Sequence, residues 1–194
     1  MLTKEYWKDR YQTQQMGWDA GQITRPIKTY FDAVEDKSVK ILIPGCGNAH
    51  EAAYLFNQGF TNLYLCDWAQ EPLDNFAQQH PSFPKEQLIC ANFFELEEKD
   101  FDYIVEQTFF CALTPSLRPQ YALKMAQILK EGGLLVGLLF SAALDLGREG
   151  PPFGGNKAEY IGYFEPYFSN LSIEPCLNSI PPRAGVELFI ELTK

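Results

Sequence analysis

One stretch constrains this chain more than any other: Lys40-Ile41-Leu42-Ile43-Pro44-Gly45-Cys46-Gly47-Asn48-Ala49-His50-Glu51. An apolar run ends in a Gly-x-Gly turn and passes directly into a segment that can be helical. That order implies a buried parallel strand, a tight turn and the first turn of a helix. Glycines in such a turn let the backbone approach a ligand, and the helix start offers free N–H groups. About twenty residues on, Leu63-Tyr64-Leu65-Cys66-Asp67 is a second short apolar run that closes on an acid. A carboxylate at the tip of the second strand is suited to two vicinal ribose hydroxyls. Gly-Cys-Gly alone is a common turn. Joined to Asp67, it points to a nucleoside-containing ligand.

From residue 39 onward the chain alternates. Strand 39–43 leads to helix 49–58, stopped at Gly59; strand 63–66 leads to helix 70–79, closed before Pro81. Strands follow at 87–90 and 101–106, then a helix over 116–130 that Gly132-Gly133 ends, then the fully apolar strand 134–140. Residues 147–155 form a loop and 156–168 a helix, and runs at 171–176 and 186–192 lack a full helix between them, so the last strand is expected to be antiparallel. Strand and helix alternating at this period imply an α/β doubly wound sheet of seven mostly parallel strands. Before it, residues 3–18 carry Trp7, Tyr11 and Trp18 at helical spacing. By spacing alone they form the aromatic stripe of an amphipathic helix docked on the body, or a lid whose rings touch a ligand.

The 194 residues suit one domain with a sizeable core, and the net charge of −9 with no Lys/Arg cluster argues against nucleic acid as a partner. No apolar run approaches membrane-spanning length and the N-terminus lacks a signal-peptide core, so the expectation is a cytoplasmic protein, by default a monomer. Five cysteines, odd in number and never in a Cys-x-x-Cys pair, imply reduced thiols without a metal, with Cys66 and Cys90 packing as small hydrophobes. His50 and His80 are isolated and suit surface or capping roles.

Ligands of an open parallel sheet bind beyond the carboxyl ends of its strands. Gly45, Asp67, Asn92, Phe93 and Glu106 all fall there. Asp67 is a ribose acceptor or an N-cap of the next helix. Asn92 can accept from an exocyclic amine, Phe93 packs on a base or in the core, and Glu106 can pair with a cationic part of the ligand. No phosphate-binding Gly-Lys-Ser/Thr loop, nucleophile elbow, Cys–His pair or zinc spacing is present, and two glycines fall short of a dinucleotide fingerprint. A short turn, a ribose acid, a polar group for adenine and a carboxylate for an amino group suit S-adenosyl-L-methionine.

These residues carry a family resemblance. Trp7-x-x-x-Tyr11, Gly17-Trp18-Asp19-x-Gly21, Ile43-Pro44-Gly45-Cys46-Gly47, Phe101-Asp102-Tyr103-Ile104, Thr108-Phe109-Phe110-Cys111-Ala112, Arg118-Pro119, Gly150-Pro151-Pro152-Phe153 and Ile180-Pro181-Pro182-Arg183-x-Gly185 resemble the thiopurine S-methyltransferase superfamily. The plant-type halide/thiol methyltransferases are the most similar branch, and the likeness covers nearly the whole chain. It implies a class I methyltransferase fold with a single domain over residues 1–194, in which 1–36 form a helical lid and lead-in and 37–194 the catalytic core. It implies S-adenosyl-L-methionine as cofactor and S-adenosyl-L-homocysteine as product. Cofactor contacts carried over by position are Trp7, Tyr11, Trp18, Gly45, Asp67, Asn92, Phe93 and Glu106, so the aromatic stripe becomes a lid facing a sulfonium, which π faces attract. Tyr11 and Asn92 stand where relatives often have Trp and Asp, Glu106 replaces an Asp, and Phe153 replaces a Tyr of the halide/thiol enzymes.

The expected reaction is methyl transfer to a small soft nucleophile such as a thiol, hydrosulfide, halide or thiopurine-like acceptor. Phe109, Phe110 and Phe153 are candidates for the pocket wall or for core packing. Arg118 and Arg183 could hold an anionic acceptor or lie on a solvated surface. No catalytic base is assigned, because a thiol of modest pKa supplies its own thiolate. The alternatives are a non-catalytic methyltransferase-like binding module acting through a protein partner, kept open by Phe153, and an NAD-dependent oxidoreductase, disfavoured by the short glycine turn.

Overall fold

A computed structural model describes residues 2–141 and 150–194. Among them, β1 (Ile41–Pro44), β2 (Leu63–Asp67), β3 (Leu88–Cys90), β4 (Phe101–Gln107), β5 (Leu129–Phe140), β6 (Asn170–Pro175) and β7 (Glu187–Thr193) form a seven-stranded sheet in the order β3-β2-β1-β4-β5-β7-β6. The first five strands pair in parallel, while β7 runs antiparallel to both β5 and β6. This is the Rossmann-like class I methyltransferase architecture, with the antiparallel closing strand where the sequence places it.

Side chains alternate across the sheet with the two-residue period of a strand. Ile41, Ile43, Leu63, Leu65 and Val105 join one apolar cluster, and Leu42, Cys66 and Ile104 join the other. Helices α2 (Arg25–Asp32), α3 (His50–Asn57) and α4 (Gln70–Gln79) cover the first face through Ile27, Phe31, Leu55, Leu73 and Phe76. Helices α5 (Arg118–Ile128) and α6 (Lys157–Phe164) cover the second through Tyr121, Met125, Tyr160 and Phe164. Both faces are dry, which is why the central strands read as continuous apolar runs. After β3 the chain returns to the far side of β1 to form β4, so a crevice opens at the carboxyl ends of β1 and β4.

Three boundaries differ from the sequence expectation. Helix α1 is Lys4–Gln12 and does not reach residue 18. Gln14 takes a left-handed φ of 56°, the Gln15 N–H donates to Arg10 O at 2.9 Å and the Gln14 N–H to Tyr11 O at 3.2 Å, a paired closure that usually employs glycine. Helix α5 starts at Arg118, behind a 3-10 turn over Pro115–Leu117, and ends at Ile128. Leu129 already pairs with Phe101, and the register shifts before Tyr103 meets Leu134, so Gly132-Gly133 sit in a strand irregularity and not at a helix end. Of the expected 147–155 loop, residues 147–149 lie outside the described residues.

The thiols divide differently from expectation: Cys66 is buried, but Cys90 is exposed at the sheet edge. His80 caps α4, its ring 4.5 Å from that of Phe76. No helix among the described residues is long and apolar enough to cross a membrane.

Candidate functional site

Gly45 and Gly47 adopt φ of +57° and +53°, and Ala49, ahead of α3, adopts +54°. Left-handed residues at alternate positions curl the backbone so that its N–H groups line a concave side. Side chains close over that curve. A Cβ on Gly45 would stand 2.7 Å from Phe109 Cγ, and one on Gly47 would stand 3.3 Å from the Tyr11 hydroxyl. Only glycine serves at both positions.

Asp67, at the tip of β2, is buried, with Oδ2 accepting from the Gly47 N–H at 3.0 Å and Oδ1 from the Ala69 N–H at 2.9 Å. It therefore steadies the entry to α4 and reaches across to the glycine turn at once. Burial pushes its carboxyl above the ordinary range, opposed by these N–H donors, the Trp68 N–H and the Tyr11 hydroxyl. Burial first, then the charge of Asp67, likewise raises the Tyr11 phenol.

Trp7 and Tyr11 arrive from α1, and Trp18 from the loop after it. Trp7 and Trp18 meet edge-to-face at 5.6 Å and Tyr11 and Trp18 at 6.0 Å, so the trio forms one aromatic cluster beside the turn. The Trp18 carbonyl accepts from Arg183 Nη2 at 2.6 Å. Asp19 then ties the loop to the start of α3: it accepts from the Gly21 N–H at 2.7 Å, lies 2.7 Å from His50 Nε2, and takes the Asn48 amide as a further donor. The Asp-x-Gly spacing could have flagged this turn; its partner His50 was legible only as an isolated residue. A cavity of about 40 Å³ remains between these parts, lined in part by Trp18, Asp19, Gly45, Gly47, His50 and Thr108.

The tip of β4 departs most from expectation. Glu106 is fully buried; Oε1 accepts from the Phe109 and Phe110 N–H groups at 2.8 and 2.9 Å, and Oε2 from the Tyr121 hydroxyl at 2.5 Å. It positions the turn that carries Phe109, and both of its oxygens, expected to be open to a cationic part of the ligand, accept hydrogen bonds from this chain's own groups. Burial pushes its pKa up to about 7 against those hydrogen bonds. Asn92 accepts from the Phe94 N–H at 3.2 Å and donates to Glu95, capping a short 3-10 turn. Phe93 is a buried core residue, 5.2 Å from the Phe109 ring.

Phe110 is also core, packed on Tyr121, Tyr160 and Phe164, whereas Phe109, which overlies Gly45, and Phe153 are half-buried. Arg118 is neither surface nor open to an acceptor. It is fully buried, donating to Glu159 Oε1 at 3.0 Å and to the carbonyls of Phe153 and Gly154 at 3.0 and 2.9 Å, with its guanidinium 4.7 Å from the Phe110 ring centre. Arg183 is buried too, between Trp18 and Glu187, whose Oε1 lies 3.5 Å from Nη1.

These residues fit an adenosyl sulfonium ligand. The glycine cradle would lie under its amino-acid part, Asp67 would take the ribose hydroxyls, and the Trp7 and Trp18 rings would lie by the sulfonium. Among the described residues no group of three or more His, Cys, Asp or Glu is placed to hold a metal ion.

Comparison with known proteins agrees with this geometry. A family model described as thiopurine S-methyltransferase matches residues 2–182. The chain is 27% identical over 186 residues to probable thiol methyltransferase 2 of Arabidopsis thaliana, covering 93% of this chain and 81% of that protein. It is 29% identical over 175 residues to thiocyanate methyltransferase 1 of Brassica oleracea, covering 88% and 76%. It is 24% identical over 212 residues to a thiopurine S-methyltransferase of Vibrio cholerae, covering 98% and 96%. Among solved structures, a TehB-like SAM-dependent methyltransferase from Corynebacterium glutamicum shares the fold at a TM-score of 0.68 and 20% identity, covering 98% of this chain and 97% of that one. A 1,6-didemethyltoxoflavin-N1-methyltransferase from Burkholderia thailandensis, solved with S-adenosylhomocysteine, superposes at 0.73 and 17% identity, covering 98% and 86%. With a family model matching all but the ends of the chain, over the same residues that build the glycine cradle, Asp67 and the aromatic cluster, this protein belongs to the thiopurine S-methyltransferase family.

Proposed function

We propose that this protein, an S-adenosyl-L-methionine-dependent methyltransferase, methylates a small soft nucleophile, with sulfur acceptors such as a thiol, hydrosulfide or thiopurine-like thiolate foremost and a halide within reach of the same chemistry. The carrying observation is the aromatic ring of Phe109, which lies directly on Gly45 of the glycine turn; half-buried Phe153, whose N–H donates to Cys111 O at 2.7 Å, is tied to the segment that follows Phe109. Relatives named for thiol, thiocyanate and thiopurine methylation support the same class.

When bound, the cofactor supplies an electrophilic methyl group on a positively charged sulfur. A lone pair on the acceptor forms the new bond to that carbon as the carbon–sulfur bond breaks, and neutral S-adenosyl-L-homocysteine is the other product. An anionic acceptor loses its charge in the transition state, so a wall of aromatic rings that strips water from the anion and aligns its approach favours the reaction. Trp7, Trp18, the Gly45–Gly47 backbone and Asp67 are the proposed cofactor contacts. The buried thiols cannot compete as acceptors or bases: burial raises Cys46 and Cys111 far above the range in which a thiolate forms.

Calorimetry with S-adenosyl-L-homocysteine should give micromolar or tighter binding, and Asp67→Ala should weaken it by about ten-fold or more. A screen of iodide, hydrosulfide, thiocyanate and aromatic thiols with labelled methyl donor and headspace analysis then identifies the acceptor. Binding without turnover of any soft nucleophile would overturn the acceptor class, and no binding would overturn the cofactor assignment.

A further inference from the structure

Four carboxylates are buried among the described residues: Glu51, Asp67, Glu106 and Glu187. Three of them have firm donors of their own. Asp67 takes the Gly47 and Ala69 N–H groups, Glu106 takes Phe109, Phe110 and Tyr121, and Glu187 lies against Arg183. Glu51 is 6% exposed and, among the described residues, has neither a side-chain donor nor an ion pair. Burial pushes its carboxyl above the ordinary range, with Asp19 adding to the rise and its own N–H, His50 and the Thr24 N–H opposing it. A buried carboxylate without a cation is costly to ionise, and a cation brought to it offsets that cost.

Glu51 stands in the first turn of α3, directly behind the glycine turn. With Asp19, Gly45, Gly47, Gln107 and Thr108 it lines the cavity of about 40 Å³ between that turn, the Trp18 loop and the end of β4. A water takes about 30 Å³ of liquid and whole-ligand sites run to roughly 300–1,000 Å³, so this space suits one small group of a larger ligand. Asp19 is the other acid of the cavity, but both of its oxygens are committed. Oδ1 serves the Gly21 N–H and His50, and Oδ2 serves the Asn48 amide. Glu51 is the acid left for a cation.

We propose that Glu51 is the carboxylate that takes the α-ammonium of the cofactor's amino-acid part, the role for which Glu106 is closed off. The proposal rests on the glycine cradle lying under that part of the cofactor. Glu51 then sets which thioadenosines bind, favouring those that carry the ammonium over those that lack it. The bound ammonium in turn keeps Glu51 ionised at a position where burial penalises its charge.

The test is calorimetry on the wild type, Glu51→Gln and Glu106→Gln with two ligands. One is S-adenosyl-L-homocysteine; the other is its deamino analogue, 5′-S-(3-carboxypropyl)-5′-thioadenosine, which keeps the adenosine, thioether and carboxylate. The wild type should prefer S-adenosyl-L-homocysteine by about ten- to a hundred-fold, the worth of a hydrogen bond between charged groups. Glu51→Gln should bind S-adenosyl-L-homocysteine weaker by that factor and the analogue as the wild type does, whereas Glu106→Gln should keep the preference. Glu51→Gln is isosteric and breaks no side-chain pair, so it should melt no lower than the wild type. A lower melting temperature with both ligands weakened alike marks a structural role and overturns the proposal. A preference retained in Glu51→Gln, or absent from the wild type, overturns it as well while leaving the cofactor assignment in place. Failure of the wild type to bind either ligand overturns both.

Discussion

Replacement of Arg118 separates a structural pin from an acceptor site. The side chain is 1% exposed and spends two nitrogens on three oxygens: Glu159 Oε1 and the carbonyls of Phe153 and Gly154. Arg118→Met keeps an unbranched apolar stem but removes all three bonds and the stacking on Phe110. Removing one partner of a buried ion pair costs about 3–5 kcal/mol. Glu159 is 34% exposed and can rehydrate, and the two carbonyls are only half-buried, so the lower end, about 3 kcal/mol, applies. In a chain of this size that corresponds to a melting temperature lower by roughly 6–12 °C. Thermal and urea unfolding followed by circular dichroism read the loss directly. Arg118→Lys should be nearly as damaging, because an ammonium cannot reproduce the planar fork that serves three oxygens. A melting temperature within about 2 °C of wild type, with acceptor KM raised and rescued by lysine, would refute the assignment and return Arg118 to the acceptor.

Glu106, with its folded pKa raised to about 7, contributes stability that is fully present below the ordinary carboxylate range and lost as pH rises through 7. Unfolding free energies of wild type and Glu106→Gln, compared between pH 5 and 8, should diverge by on the order of 3 kcal/mol, with the variant flatter; parallel curves would mean that Glu106 is ionised without cost. Gly45→Ala adds a left-handed penalty of about 1–2 kcal/mol and drives a methyl group into the Phe109 ring, so calorimetry should show S-adenosyl-L-homocysteine binding weakened by about ten-fold or more, and intact affinity would contradict the close packing. Arg183→Met frees the Trp18 carbonyl and strands Glu187 in the interior; unfolding should ease by about 3 kcal/mol and tryptophan emission shift to the red, whereas an unchanged spectrum would show that Trp18 is held by other means.

Much of this molecule could be read from its residues in order. Strand and helix alternation, the antiparallel close, the Gly45–Gly47 turn and Asp67 at the end of β2 all follow from local rules: a two-residue period, a backbone that needs positive φ, an acid at a strand tip. The end of α1 did not, because Gln14 takes the left-handed position that glycine normally marks, and the start of β5 did not, because Leu129 is drawn into the sheet by Phe101 across it. The sequence alone determined which ligand class the turn could serve. Tertiary structure decided which side chains are free to serve it, since burial and partnership depend on residues far apart in the chain. Glu106 is closed off by Tyr121, Arg118 by Phe153 and Gly154, and Asp19 is joined to His50, each by a neighbour that only the folded sheet supplies. Asp67 shows both levels at once: its place at the strand tip is written locally, but that its carboxylate meets the Gly47 N–H is settled by the packing of β1 against β2.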